Sequence, residues 1–144
     1  MKNDEDMFCS MNMGQNFPEY KLFDSAASQQ MFESLFSSFD LKDQDEKHLD
    51  GNKLRKVGQF LAVIDEATFK LTEQIHKSKI IAGNKVHIHF LNFSKIYEFK
   101  VDDVDNFFDD IYYPGANDIM ISDNKLSWML YIDHDCHLYE FRTN

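Results

Sequence analysis

Four histidines and one cysteine have the types and spacing that suit metal or nucleophilic chemistry. His87 and His89 are two residues apart in an alternating stretch, so they share one face of a predicted strand. His134 and His137 flank Cys136 in a short segment rich in turn-forming residues. Imidazole and thiolate are common ligands of zinc and iron, so these side chains would suit a metal site if the two segments are neighbours.

The same spacing favours ordinary structural histidines over metal ligands or catalytic residues. Residues 133–137 lack the gap of about two to four residues that separates paired ligands in structural zinc sites. Neighbouring residues of a strand point to opposite faces, so the sequence alone brings no histidine base to Cys136. We therefore expect no metal, no cofactor and no catalytic residue. A small metal-dependent enzyme is the alternative, and its ligands would be His87, His89, His134 and His137.

A second group of candidate side chains is acidic. Apolar residues recur at helical spacing over residues 102–112, and five aspartates occupy the opposite face of this predicted helix. They are Asp102, Asp103, Asp105, Asp109 and Asp110. Asp109 and Asp110 lie near the helix C-terminus, where a negative charge costs about 0.3 to 1 kcal/mol at low salt. Carboxylates that cost stability are candidates for contact with a partner, so we predict that these five residues bind a basic protein.

The distribution of charge supports a protein partner over a nucleic acid. The net charge is −10, with −7 in residues 1–50, +5 in residues 51–100 and −8 in residues 101–144. An acidic chain is repelled by phosphates, so we expect no direct binding of DNA or RNA. The acidic ends either pair with the basic middle or face a cationic partner. A phage-type antagonist that imitates nucleic acid with its carboxylates is a further alternative.

Composition predicts one folded domain. Of the 144 residues, 43% are hydrophobic and 15% aromatic, which is enough to form a core. We expect a flexible segment over residues 1–18 and a single α+β domain over residues 19–144. No apolar run is long enough to span a membrane and no signal-peptide pattern is present, so a cytoplasmic location without membrane contact is expected. Cys9 and Cys136 are then expected to be free thiols.

Hydrophobic periodicity predicts the order α-α-β-β-α-β-β-β. A capped helix begins at Asp24 and ends near Asp40, and a long amphipathic helix runs from Asn52 towards Gly83. Strands are predicted at residues 85–91, 96–101, 118–122, 126–132 and 137–141, with a short helix at 102–112. Short connections favour a mainly antiparallel five-stranded sheet with the helices on one face. The expected core is Leu54, Val57, Leu61, Ile64, Phe107, Phe108 and Trp128.

The C-terminal part of the chain resembles a known class of proteins. Residues 128–134, Trp-Met-Leu-Tyr-Ile-Asp-His, lead into an acidic end of the chain. In size, acidity and strand-helix-strand order, residues 85–144 loosely resemble small acidic cytosolic immunity proteins of bacterial toxin systems. This resemblance implies a protein without catalysis or cofactor that covers the active site of one cationic toxin domain with an acidic surface.

Overall fold

A computed structural model describes residues 20–39, 41, 51–80, 83–90, 95–115 and 117–143. The predicted flexible segment and Cys9 lie outside these residues. The helices are α1 (Ser25–Ser38), α2 (Gly51–Val57), α3 (Leu71–Lys77) and α4 (Val101–Ile111). The strands are β1 (Lys21–Leu22), β2 (Gln59–Val63), β3 (Lys85–Phe90), β4 (Lys95–Lys100), β5 (Ile119–Ser122), β6 (Trp128–Ile132) and β7 (His137–Arg142). None of the helices in the described part has the length and apolarity needed to cross a membrane.

All seven strands form one antiparallel sheet in the order β1-β4-β3-β5-β6-β7-β2. The α+β class and the antiparallel pairing predicted from the sequence are confirmed. The prediction of five strands is wrong, because β1 and β2 add one strand to each edge. β1 pairs with β4, and β2 pairs with β7.

The predicted long helix is also wrong. The chain forms α2, turns at Gly58 into β2, and becomes helical again only at α3. A side chain at Gly58 would place its Cβ 2.6 Å from the ring of Phe141, so only glycine allows this close approach of the backbone. The apolar spacing of residues 59–64 matched a helix, but these residues extend the sheet beside β7.

The helices cover both faces of the sheet, so their predicted placement on one face is wrong. Strand alternation buries side chains of β6 on both faces, because Trp128 and Leu130 belong to one cluster and Met129 to the other. On one face, α3 and α4 pack through Leu71 and Phe108 against Val86 and Ile88. On the other face, α1 and α2 pack with Met120, Met129 and further residues into a second cluster. The domain therefore has three layers rather than two.

The expected core is confirmed in part. Leu54, Phe108 and Trp128 are buried. Leu61, Ile64 and Phe107 are only partly buried at the margin of the first cluster. Val57 is 44% exposed, contrary to the prediction, because α2 ends at this residue and the chain turns away from the core.

Candidate functional site

The acidic side chains predicted to bind a partner lie on α4. Val101, Val104, Phe108 and Ile111 are buried and hold the inner face of this helix against the sheet. The first turn carries Asp102 and Asp103, where negative charge suits the helix dipole, and the last turn carries no basic residue. Packing of the apolar stripe therefore fixes a row of carboxylates on the outer side.

Asp105 differs from the other four aspartates because it contacts α3. Its carboxylate accepts a hydrogen bond from the Thr72 backbone N–H at 3.2 Å and another from the Thr72 hydroxyl. The backbone carbonyl of Asp105 accepts a hydrogen bond from the Lys70 ammonium at 3.2 Å. The N-cap residue of α3 supplies no side-chain bond, so Asp105 satisfies a free amide at this helix N-terminus. Asp105 thus has a structural role.

The remaining four carboxylates of α4 form no ion pair among the described residues. Asp102 and Asp109 are exposed, and Asp103 and Asp110 are half-buried. Partial burial, followed by repulsion from Asp109, raises the pKa of Asp110 above its usual value. The C-terminal half of α4 therefore carries negative charge that the fold does not neutralise.

Two of the predicted metal-ligating histidines lie on β3 beneath α1. The Nε2 atom of His87 is 3.0 Å from a carboxylate oxygen of Glu98, its partner on β4. The ring of Phe23 contacts His87 edge to face at 5.3 Å, and Phe32 contacts His89 in the same way at 5.2 Å. Both histidines therefore occupy positions that an apolar side chain would normally fill.

His89 is fully buried, and neither ring nitrogen has a hydrogen-bond partner within the described residues. Burial, with a smaller contribution from His87, lowers the pKa of His89 to about 3. The ring is consequently neutral near pH 7, and its protonation opposes folding.

A row of Glu98, His87 and Ser122 crosses β4, β3 and β5 on one face, since directly paired residues share a face. His87 and Glu98 also line a cleft of about 600 Å³. The residue types are those of a nucleophilic triad, but Ser122 is fully buried and its hydroxyl makes no hydrogen bond to His87. Nucleophilic catalysis requires both that bond and access to the substrate, so this row has no geometry for acyl transfer.

The turn between β6 and β7 is organised by the buried carboxylate of Asp133. One oxygen accepts the backbone N–H groups of Asp135 and His137, each at 2.9 Å, and the other accepts Arg55 Nε at 3.0 Å. Burial alone would raise the pKa of Asp133, but the bonds from His137 and Arg55 outweigh it and lower that pKa. Arg55 belongs to α2, so this ion pair joins the helix to the turn. Tyr112 donates its hydroxyl proton to the Asp133 carbonyl.

The other two candidate histidines belong to this turn. His134 is exposed, and a hydrogen bond to Asp118 at 3.2 Å raises its pKa. His137 lies 3.4 Å from Asp133 through Nδ1. Cys136, the remaining candidate, is a free thiol whose sulfur is 3.7 Å from the Tyr112 hydroxyl.

The four candidate metal ligands are not brought together. His87 and His89 lie under α1, whereas His134 and His137 bond to carboxylates of the β6–β7 region. In the described part of the chain, no three histidine, cysteine, aspartate or glutamate side chains are placed to hold a metal ion. The metal-dependent alternative thus has no geometric support among these residues.

The polar network around Asp133 was not anticipated from the sequence. An aspartate at the start of a tight hairpin turn often accepts backbone N–H groups, so the turn role was readable in principle. The partnership with Arg55 was not, because 78 residues separate the two along the chain. Glu98 was likewise missed, since its role depends on the register of β3 and β4.

Comparison with known proteins gave no match to a protein-family model, to a curated protein or to a solved structure.

Proposed function

We propose that this protein is a binding protein that neutralises a cationic protein partner, such as a toxin, through the acidic outer face of α4. The supporting observation is the negative charge on α4 that the described part of the fold does not neutralise. Asp102, Asp103, Asp109 and Asp110 make no ion pair among the described residues, and Asp105 alone is engaged in packing.

The energetic argument rests on Asp109 and Asp110. Both lie in the last turns of a helix whose C-terminus carries no basic side chain. Negative charge there is unfavourable for the helix, and each carboxylate also repels the other. A cationic surface would remove both penalties on binding, and complementary charge would accelerate encounter with the partner.

The resemblance of residues 85–144 to immunity proteins agrees with this proposal. These residues include α4 and strands β3 to β7, the greater part of the sheet. In such a protein the domain serves as a rigid support and needs no catalytic step, and a cytoplasmic location fits inhibition of a toxin before it acts.

The experiment uses the cationic proteins that the genes neighbouring the gene for this chain encode, each purified in an inactive form. We expect a one-to-one complex whose association slows steeply as salt is added, because screening weakens interactions between exposed charges. Sedimentation measures the stoichiometry, and stopped-flow fluorescence measures the rate. The proposal fails if none of the neighbouring cationic proteins binds, or if binding is indifferent to salt.

A further inference from the structure

The two edges of the sheet are protected to different degrees. β1 is two residues long and carries Lys21, a short charged edge of the kind that resists pairing with another chain. β2 is five residues long and contains no charged residue. Phe60 is 52% exposed and Val63 is 65% exposed. In the described part of the chain, no strand lies beyond β2.

The backbone of β2 offers hydrogen-bonding groups on its outer side. Ile64 donates its N–H to the Cys136 carbonyl at 2.8 Å, so Ile64 faces β7 and its neighbour Val63 faces outward. Tyr139 lies three residues beyond Cys136 on β7 and so faces away from β2. Phe60, which is paired with Tyr139, therefore also faces outward.

A β-bulge at Leu61 explains why the two outward-facing residues, Phe60 and Val63, are three positions apart. The register with β7 skips Leu61, since Phe60 pairs with Tyr139 and Ala62 with Leu138. In a regular strand, residues three apart point in opposite directions, but one extra residue restores their agreement. Phe60 and Val63 consequently share both their outward backbone direction and their face of the sheet.

We propose that β2 pairs with β2 of a second copy of this chain, antiparallel and about a two-fold axis, to form one continuous sheet of two domains. Phe60 of each copy then lies opposite Val63 of the other. Outward peptide groups pair across the axis, and the exposed apolar side chains cover one another. A strand edge that pairs with itself in this way gives a closed dimer rather than a fibre.

Charge at the ends of β2 favours a second copy as the partner. Lys56 precedes the strand and is exposed, while Asp65 and Glu66 follow it. Lys56 itself lies in the last turn of α2, three residues before β2. Antiparallel pairing places the start of one β2 strand beside the end of the other, so the last turn of α2 in each copy lies near Asp65 and Glu66 of the other. This local complementarity opposes the repulsion expected between two chains of net charge −10.

The test measures the mass of the full chain by sedimentation over a range of concentrations. We expect a concentration-dependent dimer. Val63→Lys should weaken it at least about tenfold, because a lysine on an edge strand blocks pairing. Leu22→Lys is the matched control on the β1 edge and should leave the dimer intact. Val63 is mostly exposed in the single chain, so the melting temperature of Val63→Lys should equal that of the parent at concentrations at which the parent is monomeric.

Charge reversal tests the arrangement of the two copies. Lys56→Glu alone and Glu66→Lys alone should each weaken the dimer, and the double variant should restore it. A parent chain that stays monomeric at every concentration would overturn the proposal, since β2 would then not pair with a second copy. A dimer that survives Val63→Lys, or that the double variant fails to restore, overturns it equally.

Discussion

The carboxylates of the β6–β7 region and those of α4 belong to the same acidic third of the chain, yet the fold treats them oppositely. Asp133 accepts two backbone N–H groups and the Arg55 guanidinium, and these bonds lower its pKa. Asp110 lacks an ion-pair partner among the described residues, and burial and Asp109 raise its pKa.

The lowered pKa of Asp133 and the raised pKa of Asp110 have opposite consequences for the stability of the fold. A carboxylate with a lowered pKa stabilises the folded state above its unfolded pKa, and that contribution is lost as the pH falls. A carboxylate with a raised pKa destabilises the folded state when it ionises. The turn therefore uses its negative charge to hold the fold together, whereas α4 keeps negative charge at a cost. That difference separates a structural carboxylate from a candidate for binding.

The largest expected effect is in the turn. Asp133→Ala should destabilise the protein by about 3 kcal/mol, because it removes a buried carboxylate that accepts two partly buried backbone N–H groups and Arg55 Nε. Asp109→Ala is the matched control on α4 and should change the free energy of unfolding by less than about 0.5 kcal/mol. Urea unfolding measures both. Equal losses in the two variants would abolish the distinction between the regions.

The loss of stability in acid gives a further test of the comparison. Above pH 5, protonation of a histidine rather than of a carboxylate should dominate this loss. The pKa of His89 is about 3 in the folded protein against 6.5 for an ordinary histidine, so the unfolded chain binds the proton first. Stability present above pH 6.5 should fall by about 2 kcal/mol by pH 5. Asp133 contributes its own loss only at lower pH, since its unfolded pKa is near 3.9.

His89→Leu should remove this loss, and thermal unfolding at the two pH values measures it. His134→Ala is the control, because His134 is exposed and its raised pKa acts in the opposite direction. If His89→Leu loses as much stability in acid as the parent, protonation of His89 is not the cause.

Hydrophobic periodicity correctly predicted the helices and strands whose pattern was compatible with only one type of secondary structure. β3 to β7 and α4 all lie within a few residues of their predicted bounds, because alternating or short continuous apolar runs between turn residues favour strands and a single apolar stripe favours a helix. Residues 59–64 were compatible with two structures, since Leu61 and Ile64 fit a helical stripe as well as an edge strand. Gly58 was the signal against the helix, but its close contact with Phe141 depends on tertiary packing.

The candidate site could be predicted only where its residues lie close together in the sequence. The aspartates of α4 follow from the sequence, because one helix carries them all. Separation of the four histidines into two networks does not follow, since it depends on the register of several strands. The two-residue strand β1 had no sequence signal either, and its pairing with β4 completes the second edge.

The most direct test of the acidic face of α4 is the association rate of Asp109→Lys/Asp110→Lys with the neighbouring cationic protein that binds the parent chain. Gln29→Lys/Gln30→Lys/Glu33→Lys is the control, because it changes the net charge by the same amount at exposed sites of α1, which covers the opposite face of the sheet from α4. We expect unchanged or slightly raised stability in the α4 variant, because lysine suits a helix C-terminus. Its association should be slower and less dependent on salt than that of the parent and the control. Association of the α4 variant as fast as the parent at low salt would contradict the claim that this helix is the contact surface.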